Sequence, residues 1–361
     1  MRKENQRNGW IDLCRFIAAY GVVWLHFGRA PIPSPFGGWG AVWGGGLFVE
    51  YFFILSGYFA ISHIEKQRNA IEKDTEVQIG KYILKKYLHF IPYAMIAVIM
   101  QYSWILCIEK RTWKETIKLL FMAPFEGLLL RNTGINMAGE MGILWYLSAM
   151  LIALPIVLYV ATKFSGIFRN YLMWVLPLFV YGVLIRQIGT VRTTNYILSD
   201  FRAAAGLILG GSIYYLSQNL QKIEFTCFAR RLMTVLEVGL FGLAVLFTTF
   251  SSLSKTFYDI VFIFLIFLSL IITFSGISAT SKLKKPLFAF LGKISLPVYC
   301  FHFTVIEIVK VLMKGMDLWI RMVAVGIGSF IVACLMQWFI DKILPQILSG
   351  VRHCLIVKSN V

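Results

Sequence analysis

The sequence predicts an all-α, polytopic integral membrane protein of about ten transmembrane helices, with both termini cytoplasmic. Three observations carry that prediction. Hydrophobic residues make up 58% of the 361-residue chain and charged residues only 15%, too little polar surface for a soluble protein of this size. Apolar runs of roughly 18–22 residues recur from one end to the other, each long enough to cross a bilayer as a helix. The Lys and Arg residues behind the formal charge of +17 collect in alternate connections between the runs, as cytoplasmic loops do.

The runs fall at about 10–28, 46–63, 88–108, 142–162, 171–190, 201–217, 233–250, 257–278, 289–312 and 321–341. An even number returns both ends to one side. With the N-terminus inside, the inner connections hold roughly twice as many Lys and Arg as the outer ones. The first run contains charges and lacks a small-residue cleavage site, so it reads as a retained span rather than a signal peptide. The connection "APIPSPFGGWGAVWGGG" is dense in Gly and Pro, which suits either a tight linker or a polar-accessible rim. The inner connection 64–87 is long and basic, with Lys66, Arg68, Lys73, Lys81, Lys85 and Lys86. It can meet anionic lipid or bind phosphate. The stretch 116–130, "TIKLLFMAPFEGLLL", is too short and too charged at its edges to cross and reads as a helix on the outer surface. One membrane domain over 1–345 is expected, followed by a short basic tail, 346–361.

Charged groups inside apolar runs normally face a bundle interior or a wet cavity. The first run carries Asp12, Arg15 and His26. At about 100° and 1.5 Å per residue, Arg15 and His26 share a face and stand about 16 Å apart along the axis. Asp12, one turn before Arg15, joins that stripe and either pairs with Arg15 or helps line a polar passage. The second run, "VEYFFILSGYF", places Glu50 near the level of His26. Deeper, Ser56 either lines the interior or bonds its own helix, and Gly57 permits a close backbone approach. Trp145 and Tyr146 open the fourth run, where aromatic anchoring is the ordinary role. Asp200 and Arg202 sit at the outer mouth of the sixth. The ninth carries Lys293, Ser295, Tyr299 and His302, the last either a helix–helix hydrogen bond or a site residue. Glu307 and Lys310 neutralise each other or serve the site. The six cysteines are scattered with no Cys-x-x-Cys pair, so no disulfide or metal site is expected. No nucleic-acid module is present.

These segments, taken together and in order, resemble the acyltransferase type 3 membrane proteins, which include polysaccharide and lipopolysaccharide O-acetyltransferases. "GWIDLCRFIAAYGVVWLHF" resembles the opening helix of that family, with Arg15 and His26 at its Arg-x(10)-His spacing. "GGLFVEYFFILSGYF" resembles the second-helix signature, "LWYL" the Leu-Trp-Phe-Leu element and "FLGKISLPVYCFHF" the late Gly-Lys-x-Ser segment. The chain departs from the family where "KKYLHFIPY" replaces an Arg-x-x-Arg stretch, which removes the bidentate guanidinium fork.

The resemblance implies an acyl-CoA-dependent O-acyltransferase of the plasma or inner membrane. It would move an acyl group, acetyl being the expected one, to a hydroxyl of a cell-surface glycan or lipid-linked sugar. Acyl-CoA would be a co-substrate, with no resident cofactor, and the partners would be the acceptor and membrane lipids. On this reading Lys85, Lys86 and His89, with Arg15 just inside, would meet the donor phosphates. His26 would act as general base or acyl carrier, and Glu50 would orient its imidazole. Ser56, Tyr299 and Lys293 would be candidate oxyanion donors, and His302 a further substrate-binding residue. The rival readings are a transporter or flippase, or a non-catalytic subunit of a polysaccharide-export system. The sequence leaves the acceptor and the oligomeric state open.

Overall fold

The computed structural model describes residues 8–27, 43–68, 75–134, 140–249, 257–347 and 349. Those residues form helices α1 (Gly9–Phe27), α2 (Phe48–Arg68), α3 (Thr75–Ile108), α4 (Trp113–Gly127), α5 (Trp145–Lys163) and α6 (Ser165–Ile167). They continue as α7 (Met173–Ile188), α8 (Tyr196–Leu220), α9 (Cys227–Thr249), α10 (Phe257–Ser275), α11 (Pro286–Leu312) and α12 (Leu318–Trp338). There is no strand among the described residues, and the protein is an all-α polytopic membrane protein. Nine helices among the described residues are long and apolar enough to span a bilayer. The sixth expected span is α8, which at 25 residues is long enough but is made less apolar by Asp200, Arg202 and its small and polar residues. It can be less apolar because it is central: Arg202, Ser199, Ser212 and Ser217 are all buried against other helices.

The helices divide by what covers them. The apolar window of α2 is 78% buried and that of α12 only 17%, so α2 is a core helix and α12 a lipid-facing one. Helices α2 and α8 approach closely because of glycine. A Cβ on Gly57 would collide with the Leu207 carbonyl, and one on Gly210 with the Ile54 carbonyl. That is the close backbone approach expected of Gly57.

The start of α1 is fixed to the segment before α11 by the Gly9 N–H donating to the Leu283 carbonyl at 2.8 Å. Lys293 near the start of α11 pairs with Asp341 just past α12 at 2.5 Å. These contacts put the start of α1 and the close of α12 at one end, here called basal; the far end, beyond His26, is apical. Lys293 is therefore spent on an ion pair with Asp341, which corrects its reading as an oxyanion donor.

Two connections differ from expectation. The inner connection is mostly helix: α2 continues to Arg68 and α3 begins at Thr75, so Lys81, Lys85 and Lys86 stand on a helical surface. The stretch read as an outer-surface helix instead descends along α3. α4 starts with a capping box, in which the Thr112 N–H and hydroxyl bond the Glu115 carboxylate. Those bonds hold the Glu115 carboxyl below its ordinary range. At the other end of α4, Gly127 packs on the Met95 sulfur, and Leu128 O accepts from Tyr87 Oη at 3.2 Å. Met95 is thirteen residues before the end of α3, about 20 Å down its axis. Polar groups at such depth must be paired within the protein, and Glu126, Gly127, Leu129 and Asn132 are buried there. Glu126 is enclosed, taking bonds from Tyr102 Oη (2.7 Å), Met141 N–H (3.1 Å) and Arg131 Nη1 (3.2 Å). The Gly- and Pro-rich outer connection lies outside the described residues up to 42, as does most of the predicted basic tail.

Candidate active site

Helices α1 and α11 run parallel from the basal end, with Gly292 leaving room for the Asp12 carboxylate. Toward the apical end they bring His26 and His302 together, His302 Nε2 lying 3.0 Å from His26 Nδ1. The tautomers follow from the acceptors. His302 Nδ1 is 2.7 Å from the Tyr299 carbonyl and 3.1 Å from the Val298 carbonyl. Carbonyls only accept, so Nδ1 carries the proton and Nε2 of neutral His302 is an acceptor. His26 Nδ1 faces that acceptor and the Val22 carbonyl at 3.0 Å, so it too carries the proton. The lone pair of neutral His26 is thereby placed on Nε2. His302 is fully buried and His26 half-buried. The sequence named both histidines; their pairing was not foreseen, and His302 bonds the other imidazole.

Glu50 does not orient His26. Its carboxylate is fully buried and pairs with Arg202 Nε, and its second oxygen accepts from Tyr181 Oη at 2.6 Å. Arg202 also donates to the Thr193 carbonyl (3.1 Å) and the Gly46 carbonyl (2.9 Å), and lies 5.2 Å from the Trp145 ring centroid. Glu50 points from α2 toward α8, where Gly206 lets Phe53 of α2 pack close; a Cβ on Gly206 would sit 2.6 Å from the Phe53 Cβ. The group ties α2, α5, α7 and α8 together below the apical surface, a structural task. The signal was present in the sequence as an acid in the second run and an arginine in the sixth, each without a partner on its own helix.

A cavity of about 250 Å³ lies between α1, α2, α3, α5 and α11. Arg15, Lys86 and His89 supply its charge and titratable groups, and Phe52, Tyr146 and Tyr299 its aromatic end; Ser56 is on the wall. A second, basal cavity of about 770 Å³ is lined by Asp12, His63 and Lys66 among others, and shares Arg15, Phe59 and Tyr82 with the first. Arg15 thus stands where the two meet. Asp12 is 3.8 Å from it, too long for a hydrogen bond, so the pair leaves the guanidinium facing both cavities. Lys85 is exposed and lines neither cavity, which corrects its place among the donor contacts. The reason is helical phase: Tyr82, Lys86 and His89 repeat on one face and Lys85 is turned about 100° away. His63 and Lys66 were not expected at the cavity; the helical continuation of α2 brings them there.

Tyr299 lines the smaller cavity, but its hydroxyl donates to the Ile143 carbonyl at 2.5 Å. It can serve as an oxyanion donor only by giving that bond up. Neither His26 nor His302 lines the cavity, which ends at the aromatic rings. Of the expected passage along α1, these two cavities account for the basal part at Arg15, and the aromatic rings lie between that part and His26.

A family model described as an acyltransferase domain, acyltransferase type 3, matches residues 8–338. The chain belongs to that acyltransferase family. The match begins one residue before α1 and ends with α12, so it includes the histidine pair, the Glu50–Arg202 group and both cavities. No curated protein and no solved structure matches the chain. As a member of an acyltransferase family the protein acts on an acyl donor and an acceptor within a membrane.

Proposed function

We propose that this acyltransferase moves an acyl group, acetyl in the first instance, from cytoplasmic acyl-CoA to a hydroxyl of a glycan or lipid-linked sugar on the far side of a plasma or inner membrane. The observation that carries the reading is the histidine pair. His26 Nδ1 is occupied by His302 Nε2 and Val22 O, so Nε2 holds the basic lone pair at the apical end of α1. The basal cavities support the donor side. Their positive lining of Arg15, Lys66 and Lys86 suits phosphates, and the excess of Lys and Arg in the basal connections makes that face cytoplasmic.

In the proposed reaction the acceptor hydroxyl oxygen attacks the thioester carbonyl while His26 Nε2 takes its proton. The C–S bond breaks, the sugar oxygen keeps the acyl group, and the proton passes to the departing thiolate. His302 Nε2 accepts from the imidazolium that forms and stabilises it. CoA is thus a substrate, consumed and released.

The test is purified protein in liposomes, loaded with radiolabelled acetyl-CoA inside and an extract of surface glycans and lipid-linked sugars outside. The expected result is label on an outer acceptor, lost in His26→Ala. Acceptor carried across the membrane without label would replace this reading with transport. Normal labelling by His26→Ala would remove His26 from the chemistry.

A further inference from the structure

The donor cavity stops at three rings whose arrangement is specific. Phe52 lies 6.0 Å from Tyr146 and 6.4 Å from Tyr299, centroid to centroid, and Tyr146 lies 5.4 Å from Tyr299. Two of the three are fixed. Tyr299 is buried with its hydroxyl on Ile143 O at 2.5 Å. Tyr146 is buried and backed by Phe53 at 4.9 Å. Phe52 has no polar anchor and is only half-buried. It packs both on the main core and on the smaller core of Ala19, Val23, Val298 and Val305, between α1 and α11. The histidine pair joins those same two helices, and His302 Nδ1 donates to the carbonyl of Tyr299 itself. The rings therefore form a partition between the donor cavity and the histidines.

A thioester that enters from the basal side with its phosphates at Arg15 and Lys86 leads with its acyl group, so the acyl group is what meets the partition. We propose that Phe52, backed by Tyr146 and Tyr299, is a size filter for the acyl group. It turns aside for a two-carbon acyl chain and excludes longer ones. Rotation of a ring without hydrogen bonds opens a few atoms' worth of space. A longer chain needs more room than that rotation gives, because Tyr299 is held in place by its bond to Ile143 O, and only shortening the Phe52 side chain supplies it. This inference rests on the reading of the donor as acyl-CoA.

The test is donor binding, which needs no acceptor. Full-length protein in detergent is loaded with radiolabelled acetyl-CoA, which is then displaced by free CoA, acetyl-CoA, butanoyl-CoA and hexanoyl-CoA. In the native protein hexanoyl-CoA should bind at least about tenfold more weakly than acetyl-CoA, the scale of discrimination a hydrophobic pocket achieves. Phe52→Ala, and the milder Phe52→Leu, should bring hexanoyl-CoA close to acetyl-CoA while leaving free CoA unchanged. Equal binding of all chain lengths by the native protein overturns the filter. So does a penalty that persists in both variants, or a parallel loss of all four ligands, which would make Phe52 a packing residue. Failure of the native protein to bind free CoA or any thioester would instead overturn the donor reading, and the filter with it.

Discussion

Replacing His302 by alanine tests the central geometry of the site with a magnitude that the structure supplies. The substitution deletes the acceptor 3.0 Å from His26 Nδ1 but leaves the Val22 carbonyl, also at 3.0 Å. The tautomer of His26 is therefore still held by one bond, and the variant should be impaired rather than dead. What it loses is the hydrogen bond to the imidazolium formed in the transition state. Bonds to charged groups contribute about 1.5–3 kcal/mol, and each 1.36 kcal/mol is a factor of ten in rate, so the loss in kcat is roughly 10- to 150-fold. Removing the base itself, in His26→Ala, should cost more, about 10²–10⁴-fold. His302→Gln can place an amide oxygen where Nε2 was and should recover most of the rate. The assay is initial-rate acyl transfer in liposomes at saturating donor, with monodispersity in detergent as the control for folding. A His302→Ala protein with native kcat, or a well-folded His302→Gln no better than His302→Ala, would refute the role assigned to the pair.

Glu50→Gln leaves the Arg202 guanidinium buried without its counter-charge, and breaking such a pair costs about 3–5 kcal/mol. The thermal midpoint in detergent should fall sharply, and Glu50→Gln with Arg202→Met should be less damaging than Glu50→Gln alone; an unchanged midpoint would contradict the buried pairing. Gly57→Ala drives a methyl into the Leu207 carbonyl, and overpacking of this kind costs about 1–3 kcal/mol; native stability would show that α2 and α8 are not in close contact there. Lys86→Ala should raise the KM for acyl-CoA about tenfold, the equivalent of one charge-assisted contact, while Lys85→Ala should leave it within a factor of about two. Equal effects at both positions would mean that a diffuse basic face, and not the cavity, attracts the donor.

The fold class was legible in the sequence because burial in lipid writes itself into composition. A span needs about 20 apolar residues, and nine helices among the described residues declare themselves by that rule. The tenth, α8, was legible by length but not by hydropathy, since a helix enclosed by protein can carry Asp200, Arg202, three glycines and three serines without meeting lipid. The candidate base was legible for a related reason: a charged stripe on the first apolar run had to face something other than hydrocarbon, and Arg15 and His26 are where helical phase put them. Gly57 announced its close approach.

Which groups meet across the bundle was decided only by tertiary packing. Nothing local to α1 or α11 records that His26 and His302, 276 positions apart, stand 3.0 Å from each other. Nor does anything local to α2 record that Glu50 turns to Arg202 and Tyr181 rather than to the imidazole. A hydropathy pattern fixes which residues leave water and along which face, because that free energy is summed over one helix at a time. The rotation and depth of each helix against its neighbours depend on contacts shared between helices, such as the glycine seam of α2 and α8 and the descent of α4 along α3. Those contacts also gather Phe52, Tyr146 and Tyr299 between the arginine and the histidine, two residues which one helix alone would have joined.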